Sequence, residues 1–160
     1  MNTAQQLVRR FVEELWNERR LEVADEIFAE GCVTHQLRSG VPLTPARRGP
    51  KALKEHISAW LVGFPDLRFV IEQTIAEGDC IMSRLVMEGT HRGSWLGISP
   101  TGKKLQIRMI TVHRIANDKI AEDWVLVESL GLFQQLGALP DTTEILRSFA
   151  QHANDCSDGH

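Results

Sequence analysis

Tyrosine is missing altogether from the 160 residues, so no phenolic hydroxyl can serve as acid, base or hydrogen-bond donor. Cysteine is scarce: Cys32, Cys80 and Cys156 are an odd number at long spacings, with no C-x-x-C pair for a metal or a redox couple. Free thiols in a reducing compartment are the simplest expectation, and with it a cytoplasmic setting. No run of about 18 apolar residues exists to cross a membrane, and MNTAQQLVRR lacks the apolar stretch of a signal peptide. Basic excess is lacking too. The net charge is -3, and Arg47-Arg48 and Lys103-Lys104 are isolated pairs rather than the stripe that nucleic acid needs. There is no glycine-rich phosphate loop, no G-x-S-x-G elbow and no metal-ligand spacing, so neither metal nor cofactor is expected.

What is present fits a single domain, with a body over 1–140 and a C-terminal helix or disordered tail over 141–160. Thr3 and Gln6 form a capping box, followed by Leu7, Val8, Phe11, Val12, Leu15 and Trp16 at helical spacing. A second helix is predicted over Leu21–Ala29, then a short strand Cys32–Leu37 and a Gly- and Pro-bearing loop over 38–49. Pro50 opens a third helix whose apolar face is Leu53, Ile57, Trp60 and Leu61. After Pro65 the period changes to two. Leu67, Phe69, Ile71 and Ile75 alternate with polar residues, Glu77-Gly78-Asp79 turns, and strands follow over Cys80–His91 and Lys103–Ile115. Ser129–Leu136 reads as a helix closed by Gly137, and Asp141 with Glu144 caps another. Helices first and antiparallel strands after them make an α+β fold, with a curved sheet packed on N-terminal helices around a pocket.

The stretch HRIANDKIAEDWVLVE is a hairpin turning at Asn117-Asp118. Two registers are open. A plain two-residue turn sets His113 opposite Glu122, with Trp124, Leu126 and Glu128 on the histidine's face. A turn with one bulged residue sets it opposite Asp123, with Val125 and Val127 on that face.

The segment FPDLRFVIEQTIAEGDCIMSRLVMEGTHRGSWLGISPTGKKL, with VHRIANDKIAEDW and LGLFQQLG after it, resembles the SnoaL-like polyketide cyclase family of the nuclear transport factor 2-like fold. The resemblance covers about residues 3 to 139. It implies a cone-shaped α+β barrel with an apolar cavity and cofactor-free ring closure by aldol chemistry. It also implies an acid/base aspartate on the last strand and a histidine before it. Aligned on Arg114-Ile115 and Lys119-Ile120, those two positions hold Val125 and Thr111. The family pattern favours the bulged register, which turns Met109, Thr111, His113, Asp123, Val125 and Val127 inward. His113 is then expected as the catalytic base with Asp123 orienting it. Trp16, His35, Met109, Thr111 and Val125 are expected to contact substrate. The same pair could also be plain surface chemistry.

His91, in the EGTHRG signature, is expected to pin the following loop, and Arg84 to face outward. Ile110, Val112, Trp124 and Leu126 would lie on the outer face, an apolar row that predicts a homodimer. The expected partner is a small apolar, carbonyl- or ester-bearing molecule, handled by cyclase-, isomerase- or hydrolase-type proton chemistry. The rival expectation is a non-catalytic binding or scaffold protein, favoured by Val125 standing where the family aspartate belongs. Without tyrosine, the phenolic donor of ketosteroid isomerases and the water-placing tyrosine of epoxide hydrolases are excluded.

Overall fold

The computed structural model describes residues 3–37 and 46–157. The Thr3 side chain, and with it the expected capping box, lies outside that description, as do 38–45 of the expected loop and 158–160 of the tail. The order is α1 (Thr3–Arg10), a π-helical stretch Phe11–Asn17, α2 (Val23–Ile27), β1 (Phe28–Leu37), β2 (Ala46–Arg47), α3 (Pro50–Gly63), β3 (Arg68–Glu77), β4 (Cys80–Thr90), β5 (Lys104–Ala116), β6 (Lys119–Val127), α4 (Ser129–Leu136) and α5 (Thr142–Ser157). The strands form one sheet in the order β2-β1-β6-β5-β4-β3. All neighbours are antiparallel except β1 and β6. The N-terminal helices pack on its concave face, as the α+β expectation has it.

Helical periodicity explains the packing. Leu7, Val12, Leu15 and Trp16 from the first helical arm, Ile27 from α2, and Leu53 and Ile57 from α3 meet Phe69, Leu85, Met87, Ile107 and Met109 of the sheet in one buried cluster. Each such side chain removed from water contributes roughly 1.5–3 kcal/mol. The first arm widens partway along: the Glu18 N–H donates to the Glu13 carbonyl at 2.9 Å, five residues back. Such π-helical stretches recur at functional sites, and this one turns Phe11, Val12 and Trp16 to a cavity.

Four local expectations are corrected. The second helix is shorter than Leu21–Ala29, because Phe28 is already extended (φ -104°, ψ 141°) and pairs with Ile120. β1 therefore starts four residues before Cys32, with a bulge between Phe28 and Val33. The loop over 38–49 contains β2, tied to β1 through Val33 and Thr34. Finally, β3 slips by one residue between Ile71 and Gln73. That slip flips the alternation, so Ile75 points outward and is 48% exposed.

At the C-terminal end, Gly137 takes the left-handed conformation (φ 78°) that stops α4. Asp141 and Glu144 cap α5 reciprocally: Asp141 Oδ1 accepts from the Glu144 N–H at 2.9 Å, and Glu144 Oε2 from the Asp141 N–H at 3.2 Å. No helix among the described residues is long and apolar enough to cross a membrane.

Among the described glycines, the tightest backbone approach joins α3 to the segment after β4. A Cβ built on Gly93 would lie 1.9 Å from the Val62 carbonyl oxygen, and the Gly93 N–H donates to the Gly63 carbonyl at 3.0 Å. Backbone cannot yield as a flexible side chain can. Gly93→Ala is expected to destabilise the fold by about 2–3 kcal/mol, read as a lower midpoint in urea. Gly78→Ala, where a Cβ meets open space but φ is 59°, is expected to cost about 1 kcal/mol through strain alone.

Candidate active site

The β5–β6 hairpin decides what faces the cavity. Asn117 and Asp118 both adopt left-handed conformations (φ 51° and 56°), the geometry of a tight two-residue turn. Ala116 pairs with Lys119 and Ile115 with Ile120, as a plain turn requires. The register then shifts: Arg114 pairs with Glu122 and His113 with Asp123. The bulge is thus real but sits at Ala121, inside β6, rather than in the turn. From there on Met109, Thr111 and His113 share the concave face with Asp123, Val125 and Val127.

That face lines a partly open cavity of about 70 Å³, counted as the room for the centre of a water-sized sphere. Most of its wall is apolar and aromatic, with Trp16, Trp60 and Phe69 among the lining. Four polar side chains reach it: Arg48, His56, Thr111 and Asp123. Asp123 is 6% exposed. Burial raises its pKa, against the opposing pull of a hydrogen bond from Thr34 and the positive charge of Arg48. One carboxylate oxygen, Oδ1, has no hydrogen-bond partner among the described residues.

His113 lies beside Asp123 but does not bond to it. Its ring is fully buried, neither nitrogen has a partner among the described residues, and Phe11 packs edge-on against it at 5.1 Å. With nothing to stabilise the cation, burial pushes the imidazole pKa down to about 4, so the ring is neutral at pH 7. It is absent from the cavity lining, whereas Trp16, Met109, Thr111 and Val125 are all part of it.

His35 is not on the cavity. Parallel pairing of β1 with β6 aligns Thr34 with Asp123 and His35 with Trp124. His35 therefore points to the outer face, where it stacks flat on Trp124 (4.9 Å, 5°). Its Nε2 lies 2.8 Å from Glu122 Oε1, and Arg114 Nε donates to the other Glu122 oxygen at 2.9 Å. Those two partners, His35 foremost, hold the Glu122 carboxyl below its usual range. Within CVTHQL it is Thr34 that reaches the site.

Thr34, Arg48 and His56 were not legible as site residues. For His56 a signal existed: with Leu53, Ile57 and Trp60 it completes an i, i+3, i+4, i+7 stripe on α3. Arg48 follows a two-residue strand and carried no periodic signal. Elsewhere, His91 Nδ1 accepts from the Thr101 N–H at 3.3 Å and pins the loop between β4 and β5. Arg84 pairs with Glu72 on the outer face at 2.9 Å.

The sequence profile of the SnoaL-like polyketide cyclases matches residues 6–136. The chain belongs to the SnoaL-like polyketide cyclase family. This SnoaL-like chain is 29% identical over 144 residues to the aklanonic acid methyl ester cyclase DnrD of Streptomyces peucetius, covering 86% of this chain and 92% of that protein. It is also 29% identical over 138 residues to DauD of Streptomyces sp. (strain C5), another aklanonic acid methyl ester cyclase, covering 82% and 80%. Among solved structures, AclR from Streptomyces galilaeus superposes with a TM-score of 0.76 at 23% identity, over 98% of this chain and 96% of that one. TsrD from Streptomyces laurentii gives 0.72 at 26% identity, over 86% and 96%.

Two buried titratable groups of this SnoaL-like fold, His113 and Asp123, act oppositely on stability. The unfolded chain protonates His113 near its ordinary value of 6.5, the folded chain only near 4. Between those values the unfolded state binds more protons, so stability is lost as the pH falls through that window, by on the order of 3 kcal/mol. Asp123, with its pKa raised, takes up its proton first in the folded state and partly offsets the loss. Urea unfolding from pH 7 down to pH 4 is expected to show a shallower loss in His113→Gln and a steeper one in Asp123→Asn.

Proposed function

We propose that the chain is a cofactor-free enzyme acting by proton transfer on a small, largely apolar molecule with a carbonyl or ester group. The observation that carries this is a single carboxyl group, Asp123, buried in an apolar cavity with one oxygen uncommitted. A carboxyl whose pKa burial raises above its ordinary value is a stronger base than a solvated one, and can take a proton and give it back. In this reading Asp123 removes a proton from the carbon beside the carbonyl. The carbanion electrons close a carbon–carbon bond onto a second carbonyl, and the proton returns to the alkoxide. Sequence reasoning gave His113 the base and Asp123 the orienting role. The cavity geometry supports the exchange of those roles, with Asp123 in contact with substrate and His113 behind it.

Aromatic walls from Trp16, Trp60 and Phe69 suit a flat, conjugated substrate. The relatives named above make aklanonic acid methyl ester the first compound to assay. Asp123→Asn is expected to lower kcat about 100- to 10,000-fold. The His113→Gln, Asp123→Asn double variant should lose little more than Asp123→Asn alone, because the two act as a unit. Glu122→Gln and His35→Ala, on the outer face, should stay within about twofold of the parent. A second reading, a binding protein without turnover, is favoured by Val125 and Thr111 at the family's catalytic positions. Saturable binding of the ester with no product formed by the parent chain would establish that reading and sink the first.

The outer face carries the homodimer proposal. Ile110 (40% exposed) and Leu126 (46%) stand opposite one another on β5 and β6, flanked by half-buried Val112 and Trp124. An apolar row of this kind suits a self-complementary interface. Light scattering at micromolar concentration should give twice the chain mass, and Leu126→Glu should return the single-chain mass.

A further inference from the structure

Ser83 on β4, Thr111 and His113 on β5, and Asp123 on β6 all face the concave side of the sheet. Ser83 stands opposite Thr111, and His113 opposite Asp123. None of the four is more than 6% exposed. Ser83 Oγ, Thr111 Oγ1, both ring nitrogens of His113 and Asp123 Oδ1 lack a hydrogen-bond partner among the described residues.

Opposed side chains on paired strands stand about 4.5–5.5 Å apart at Cβ, yet neither pair bonds to itself. Left dry, each orphaned group is destabilising, because it loses its bonds to water and gains none in return. Folded proteins tolerate few of these and seldom cluster them. Here they are contiguous. Thr111 is central, with Ser83 across the strand pair, His113 two residues along, and Asp123 on the diagonal.

We infer that these four side chains bind one ordered water beside Thr111, and that this water fixes the Asp123 carboxyl for proton transfer. The functional half rests on the reading of Asp123 given above. The hydrogen-bond capacities match for four of the five atoms: the water meets Ser83 Oγ, Thr111 Oγ1, Asp123 Oδ1 and one ring nitrogen of His113, and the other nitrogen, on the far side of the ring, is not reached by it. A neutral imidazole offers one donor and one acceptor, each hydroxyl offers both, and a buried water takes two to four partners. Placement matches too. Thr111 and Asp123 line the cavity whereas Ser83 and His113 do not, so the water sits at the boundary between cavity and sheet. Thr34 donates to the Asp123 carboxylate, and Oδ1 is the oxygen left for the water. Held at both oxygens, the carboxyl plane cannot turn. Phe11, edge-on to His113, shields the cluster on the helix side. Ser83, Thr111 and His113 are positioning residues in this scheme, acting through the water.

Thr111→Val replaces the hydroxyl by a methyl group of the same shape. With the water present, the change should lower Tm by about 2–4 °C and kcat by about tenfold to a hundredfold, with KM within about twofold. Thr111→Ser, which keeps the hydroxyl, should restore kcat. A crystal structure of the full chain should show one water within hydrogen-bond distance of Thr111 Oγ1, missing in Thr111→Val. A dry cluster would behave oppositely: Thr111→Val would leave Tm unchanged or raise it, and the density would be empty, which overturns the inference. The density and Tm readouts need no substrate. The water can therefore fail while Asp123→Asn still abolishes turnover, and a silent Asp123→Asn would overturn the catalytic half alone.

Discussion

One extra residue in β6 governs the chemistry of the molecule. Ala121 has no partner on β5, and the alternation of the strand reverses across it. Without that insertion Glu122, Trp124 and Leu126 would turn to the concave side and Asp123 to the outside. The cavity would then hold an indole and a carboxyl parted from Arg114, which stays on the outer face with β5, and the helices would no longer meet an apolar wall. The tight Asn117-Asp118 turn fixes where the hairpin begins, and the bulge fixes what it presents. Parallel pairing with β1 carries the same choice one strand further, which is why Thr34 and not His35 reaches the site.

Glu122 and Asp123 show how completely a half-turn of a strand changes a carboxyl group. They are adjacent in sequence and identical in chemistry. Glu122 bonds to His35 and Arg114 on the outer face, and its charged form is favoured. Asp123 is desolvated, and its neutral form is favoured. Burial outweighs a hydrogen bond and a nearby guanidinium there, since loss of water is the larger effect in an apolar setting. The same cause acts on His113, where no partner opposes it.

Much of this was legible in the sequence. The change of period after Pro65 located the sheet, and Pro50, Gly137 and the Asp141–Glu144 pair marked helix ends through their own backbone chemistry. The inward set Met109, Thr111, His113, Asp123, Val125 and Val127 followed from period two once the register was chosen. Position relative to the cavity was harder to read. His113 and Asp123 share a face, but whether a side chain lines an opening or lies under Phe11 depends on helix packing that no strand pattern encodes. His35 was misplaced because β1 is bulged and parallel to its neighbour, so its parity is set by β6. Ile75 was misplaced by a slip between Ile71 and Gln73, and a bulge at such a site has no residue signature of its own.

The aromatic inventory gives the molecule an optical property. With four tryptophans and no tyrosine, its near-ultraviolet emission comes from indole alone. Trp16 and Trp60 line the cavity, and Trp95 leans on Trp60 with ring centroids 4.6 Å apart. Trp124 stacks on an imidazole on the opposite face of the sheet. A conjugated molecule entering the cavity would quench the first group by contact and energy transfer, and would reach the outer indole far less. The wall of the pocket is thereby a built-in fluorescent probe of its own occupancy, and the outer tryptophan is an internal reference beside it.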